Sequence, residues 1–177
     1  MRITSGVARG TRLDCPKNAR PTLDQVKQAI FSACLSRIGS FEGLRVLDLF
    51  AGSGALGIEA LSRGGSYATF VEKDKEACSI IRKNIQNSKL EAGADVLQID
   101  FKVFKSEKAF DLIFLDPPYK TNLLEESLKF IIKNDLLHSE SLIICEKDEE
   151  INIPTKFESV FNKKYGSVYI SILKSGI

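Results

Sequence analysis

Apolar residues along the chain follow two spacings, and the two alternate. Val26, Ala29, Ile30, Ala33 and Leu35 recur at near-helical intervals, predicting a helix that runs to about Arg37. Just ahead of it, Thr22-Leu23-Asp24-Gln25 has the Thr-x-x-Gln form of a capping box, whose side chains satisfy backbone N–H groups at a helix start. Residues 40–43 read as a loop. Short, near-continuous apolar runs follow at 45–50, 66–72, 95–100, 110–116 and 141–147, predicted as strands. Helical segments at 55–63, 75–88 and 122–133 stand between them, and Asp74 is placed to cap the second. Strands without a polar face suit a parallel sheet covered on both sides. The alternation predicts a doubly wound, Rossmann-like α/β fold. The tail changes rhythm: 158–173 reads as two strands about Tyr165-Gly166-Ser167, an antiparallel end to the sheet. Residues 1–21, rich in Gly and Arg, read as a short hairpin or extended arm. The expected organisation is one domain over 1–177, with a basic arm and helix over 1–40 and the core over 41–177.

Composition narrows the class. With 44% hydrophobic and 27% charged residues, the chain reads as an ordinary globular protein. No apolar run approaches the roughly 18 residues needed to span a bilayer. The opening MRITSGVARGTRL has no apolar stretch behind its charges, unlike a secretory signal. Cys15, Cys34, Cys78 and Cys145 are widely spaced, without a CxxC pair, so neither a zinc site nor a disulfide framework is expected. Reduced, mostly buried thiols in a cytoplasmic protein are the expectation. Net charge is +2, unevenly spread: residues 1–45 hold eight basic residues against three acidic ones, a net +5, and the remainder is acidic. A basic arm on an acidic body suits contact with a polyanion such as nucleic acid, with Arg2, Arg9, Arg12 and Lys17 as candidate contacts.

Two segments carry candidate chemistry. In the first, Asp48-Leu49-Phe50-Ala51-Gly52-Ser53-Gly54-Ala55-Leu56-Gly57 follows a strand and opens a helix, and its glycines have GxGxxG spacing. Glycines there permit a tight turn and let a ligand approach the backbone. Glu72 ends the next strand, 20 residues after Gly52, where a carboxylate can accept from both ribose hydroxyls of an adenosine. NAD and S-adenosylmethionine share that ribose. Asp48 favours the second, because a carboxylate beside the loop suits a cationic amino-acid moiety and repels a pyrophosphate. Asp100 and Phe101, past the third strand, could supply an acceptor for the adenine amine and an apolar wall beside the ring. The cofactor-binding candidates in this stretch are therefore Asp48, Phe50, Ala51, Gly52, Ser53, Gly54, Glu72, Lys73, Asp100 and Phe101.

The second segment is Asp116-Pro117-Pro118-Tyr119, at the carboxyl end of a buried strand, the edge where open α/β sheets bind ligands. Two prolines stiffen the loop and supply no N–H, which leaves the Pro117 carbonyl to point at a ligand. An exocyclic amine on a nucleobase is a poor nucleophile, because its lone pair is delocalised into the ring. Two acceptors, the Asp116 carboxylate and the Pro117 carbonyl, can hold both its hydrogens and aim the lone pair at a methyl donor. They would also stabilise the positive charge that develops. Tyr119 can stack on the base. His138 reads as a surface loop residue and 147–150 as a solvated charge run. No Ser/His/Asp set or metal-ligand spacing stands out.

The sequence resembles the RsmD family of bacterial 16S ribosomal RNA guanine-N2 methyltransferases. The resemblance is carried by RITSGVARGTRL (2–13), RPTLDQVKQAIF (20–31), VLDLFAGSGALGIEALSRG (46–64), VEKD (71–74) and FLDPPY (114–119), in that order. It implies a class I S-adenosylmethionine-dependent methyltransferase sheet, mostly parallel with a C-terminal antiparallel hairpin. It implies S-adenosylmethionine bound by Asp48, Gly52, Gly54, Glu72 and Asp100, with Arg20, Pro21 and Thr22 covering it. Asp116 to Tyr119 would hold a guanine of 16S rRNA, within a partly or fully assembled 30S particle, and the basic arm would touch RNA. No membrane or obligate protein partner is implied. Leu23 stands where the family usually has a hydroxylated residue, and Gln28 where Glu is common. Other readings remain at this point: an adenine-N6 methyltransferase acting on DNA or RNA, an NAD-dependent dehydrogenase, and an RNA-binding assembly factor with a vestigial pocket. The short chain leaves no room for a separate target-recognition domain, which makes sequence-specific duplex DNA a poor substrate.

Overall fold

The computed structural model describes residues 1–17, 24–119, 121–149 and 153–175. Among these, the predicted strands β1 (Arg45–Asp48), β2 (Tyr67–Glu72), β3 (Ala94–Gln98), β4 (Leu112–Leu115) and β5 (Leu142–Lys147) form, and the tail supplies β6 (Phe157–Tyr165) and β7 (Val168–Ser175). All seven join one sheet in the order β3-β2-β1-β4-β5-β7-β6. The first five are parallel; β7 runs antiparallel to both β5 and β6. The helices are α1 (Asp24–Ile38), α2 (Ala55–Ser62), α3 (Lys75–Ser88) and α4 (Leu123–Lys133). The capping box at Thr22 lies partly outside the described residues. Asp74 caps α3 as expected, its Oδ1 accepting from Ala77 N at 2.8 Å.

Successive strand residues alternate between two apolar layers, as the pleat requires. Val46, Phe70, Phe114 and Ile144 pack on one face with side chains of α1, α2 and α3. Leu47, Val71, Leu115 and Cys145 pack on the other with α4 and Phe101, Phe104 and Phe110. The five parallel strands are each shorter than their apolar runs, and two of the run ends have a visible reason. Phe110 hydrogen-bonds Leu136 O at 3.0 Å, outside the ladder, so it is buried without being strand. Asp100 departs from the third run to cap a 3-10 turn over Phe101–Val103, its Oδ1 accepting from Lys102 N at 2.9 Å.

The arm is a tight hairpin closed by an antiparallel bridge between Arg2 and Arg12, with Ile3, Ala8 and Leu13 buried. Glu59, buried on α2, fixes it. Its carboxylate accepts from Thr4 N at 2.8 Å, Thr4 Oγ1 at 2.7 Å and Ser5 N at 3.0 Å, and pairs with Arg63 Nε at 2.9 Å. Lys27 adds a second cation at 3.2 Å and also donates to the Arg2 carbonyl. Lys27 therefore belongs to the arm's foundation, and its charge, counted with the basic surface from sequence, is neutralised internally. Arg2, Arg9, Arg12 and Lys17 are exposed.

Candidate active site

A cleft of about 690 Å³ opens at the carboxyl ends of β1, β2, β4 and β5. The glycine loop forms its floor. Gly52 and Gly54 adopt left-handed backbone (φ 54° and 77°), and Gly54 is the residue from which α2 starts. Gly57 has a different reason for being glycine. A Cβ there would lie 2.4 Å from the Phe70 ring, so a bare backbone is what lets α2 lie against β2. Its N–H donates to Asp48 Oδ2 at 3.1 Å, which ties the strand end to the first turn of the helix.

Asp48 is buried, and burial pushes its carboxyl up to about 7; the Gly57 N–H works against that shift and the nearby Glu72 charge adds to it. A carboxylate kept out of water in this way is stabilised by an incoming cation. Glu72 is held in place twice, accepting from Gly52 N at 3.0 Å through one oxygen and from Asp74 N at 2.9 Å through the other. A carboxylate offers about four acceptor directions, so both oxygens keep capacity toward the cleft.

The structure brings the two sequence motifs together. Asp48, Phe50, Ala51, Gly52, Ser53, Glu72, Lys73, Asp100 and Phe101 line the same cleft as Asp116, Pro117, Pro118 and Tyr119, and Lys17 of the arm reaches its edge. Gly54 lies just beneath, packed on Ile58 and Ile81. Phe50 and Phe101 form a tilted ring pair at 5.2 Å, and Phe130 meets Phe101 edge-on at 5.5 Å. Asp100 caps the turn while bordering the cleft. Arg2, Arg9 and Arg12 do not line the cleft. Arg20, Pro21 and Thr22 lie outside the described residues.

Sequence reasoning missed Glu146. It is buried at the end of β5, lines the cleft, and its Oε1 accepts from the Tyr119 hydroxyl at 3.1 Å. Its position at the carboxyl edge of the sheet was the available signal, hidden because it opens a run of charges. Lys147 also departs from the solvated loop expected there. It is buried and pairs with Glu125 and Glu149, each at 2.9 Å. His138 is exposed as expected, 2.9 Å from Asp111.

Among the described residues the lining carries seven carboxylates (Asp48, Glu72, Asp74, Glu76, Asp100, Asp116 and Glu146) against Lys17 and Lys73. Such a cleft suits a cationic ligand. Sheet order, glycine loop and DPPY edge together define a class I methyltransferase. More particularly, the chain belongs to the family described as Conserved hypothetical protein 95, the RsmD family, whose match runs over residues 1–174. It is 36% identical to the ribosomal RNA small subunit methyltransferase D of Haemophilus influenzae, over 95% of this chain and 90% of that one. It is 39% identical to the Bacillus subtilis protein YlbH over 98% of both chains. The solved structure of the Escherichia coli protein yhhF superposes with a TM-score of 0.87 at 33% identity, covering 99% of this chain and 97% of that one.

Proposed function

We propose that this chain, acting as one catalytic domain, transfers a methyl group from S-adenosylmethionine to the exocyclic N2 of a guanine in 16S ribosomal RNA. The observation that carries the reading is that Asp116 and Tyr119 share one acidic cleft with Asp48 and the glycine loop. S-adenosylmethionine is doubly cationic at its sulfonium and ammonium, which matches the lining; a pyrophosphate would meet carboxylates instead, which counts against a dinucleotide.

When bound, the cofactor supplies an electrophilic methyl on sulfur. Asp48 would hold the ammonium end, Gly52 and Gly54 would give close backbone approach, Glu72 would accept from the ribose hydroxyls, and Asp100 and Phe101 would border the adenine. Phe50, Ala51, Ser53 and Lys73 complete the walls, and the family resemblance assigns Arg20, Pro21 and Thr22, outside the described residues, to covering the cofactor. Asp116 and the Pro117 carbonyl each accept one hydrogen of the guanine amine, and Tyr119 stacks on the base. Held this way, the amine would present its lone pair to the methyl that the cofactor would supply, with the sulfur as leaving group, and the Asp116 carboxylate would stabilise the positive charge that develops on nitrogen. The methylated nitrogen loses one proton, to Asp116 or to water. Arg2, Arg9 and Arg12 contact RNA phosphates outside the cleft, and Lys17 does so at its edge.

The relatives named as small-subunit rRNA methyltransferases support this substrate class, and we take the substrate to be a partly or fully assembled 30S particle. The test is mass-spectrometric mapping of 30S particles lacking the modification after incubation with the protein and S-adenosylmethionine. One N2-methylguanosine is expected. Methylation confined to plasmid DNA, with none in the particle, would overturn the reading.

A further inference from the structure

We infer that Glu146 selects guanine by accepting its N1–H; the inference rests on the guanine-N2 reading and extends it to a residue outside the two motifs. Neighbouring strands β4 and β5 are parallel, with Leu115 opposite Cys145. The next residues, Asp116 just past β4 and Glu146 still on β5, therefore stand side by side at the sheet's carboxyl edge, with strands about 4.8 Å apart. Both line the cleft. The Tyr119 hydroxyl donates to Glu146 Oε1 at 3.1 Å, so the stacking ring and this carboxylate hold each other in position. Asp116, Tyr119 and Glu146 thus line the same end of the cleft, joined by strand pairing and by the Tyr119–Glu146 hydrogen bond.

On guanine, the 2-amino group and N1–H are adjacent donors on one edge. With the amine held by Asp116 and the Pro117 carbonyl, the next group along that edge is N1–H, on the Glu146 side. A carboxylate accepts it. Adenine presents a lone pair at N1, so acceptor would face acceptor in a water-poor site, a penalised arrangement. The two acceptors of the DPPY edge do not distinguish one exocyclic amine from another; a third acceptor on the adjacent strand does. Were Glu146 only a support for Tyr119, its replacement would slow every substrate alike.

The test uses 30S particles carrying guanine or 2-aminopurine at the mapped target. 2-Aminopurine keeps the reacting amine but has an acceptor at N1. The wild-type protein is expected to prefer guanine by about 100-fold or more in kcat/KM. E146Q offers an amide N–H to the 2-aminopurine N1 while its oxygen still accepts from Tyr119. It is expected to narrow the preference to about fivefold or less, with affinity for S-adenosylhomocysteine unchanged by calorimetry. A wild-type preference below about threefold would overturn the inference, and this measurement needs no variant. So would full retention of the preference in E146Q. A wild-type protein that methylates no guanine in either particle would instead sink the underlying functional reading.

Discussion

Lys27 Nζ lies 3.2 Å from Glu59 Oε2, and both side chains are wholly buried between the N-terminal hairpin, α1 and α2. Removing one partner of a buried pair strands the other charge. E59A is expected to lower stability by about 3–5 kcal/mol, read as a lower urea midpoint. It also removes the acceptor for Thr4 and Ser5, so protease cutting within residues 1–17 should rise with it.

Asp48 makes stability and ligand affinity respond oppositely to pH. Its carboxyl sits at about 7 in the fold against an ordinary 3.8. Between those values the folded state holds a proton that the unfolded chain has released, so this group's contribution to stability falls as pH rises from about 4 to 7. D48N removes that loss and is expected to stabilise the ligand-free protein at pH 8 by up to about 4 kcal/mol, measured by urea unfolding. S-adenosylhomocysteine, whose ammonium calls for the ionised carboxylate, is expected to bind about tenfold more weakly per pH unit below pH 6. Calorimetry at pH 6 in two buffers of different ionisation enthalpy should register uptake by the buffer of close to one proton.

Gly57 isolates packing from backbone freedom. Its Cβ position collides with Phe70, whereas its φ is ordinary. G57A is expected to cost about 1–3 kcal/mol. Combined with F70L, the loss should be smaller than the sum of the two single variants in a double-mutant cycle.

At the DPPY edge, D116A is expected to reduce kcat by roughly 100-fold or more, while S-adenosylhomocysteine affinity by calorimetry changes little. Unaltered turnover would remove Asp116 from the acceptor role.

Arg9 and Arg12 are exposed on the hairpin, away from the cleft. Replacing either by alanine is expected to raise KM for 30S particles without lowering kcat. The slope of log affinity against log salt should become shallower by about one for each phosphate left without its cation.

Much of this was legible in the sequence because the fold repeats one simple signal. A strand buried on both faces announces itself as an apolar run, and a glycine loop followed 20 residues later by Glu72 fixes which ends of those strands meet the ligand. The DPPY segment was readable for the same reason. What stayed hidden depends on neighbours distant in sequence. Glu146 acquires its place from strand pairing between β4 and β5, and Lys27 from a hairpin and a helix that close around it. Each looked like one charge among several, since charge alone does not reveal which side chains lose their water. Strand ends were also overestimated, because Phe110 is buried by packing across α4 rather than by ladder hydrogen bonds, and Asp100 turns away to cap the next turn.

The short helix α2 has its two ends committed to different tasks. Its N-terminal turn carries Gly54 and Gly57 of the glycine loop, and its C-terminal turn, with Glu59, Ser62 and Arg63, grips the basic hairpin. Eight residues of helix span about 12 Å, and a helix neither stretches nor reorients as a linker would. The hairpin is thus mounted like one jaw of a fixed-gap caliper, with the glycine loop as the other. On the proposed function, a phosphate held by the hairpin would stand at a set distance from the transferable methyl, and the register between backbone contact and reacting base would be inherited from the length of one helix.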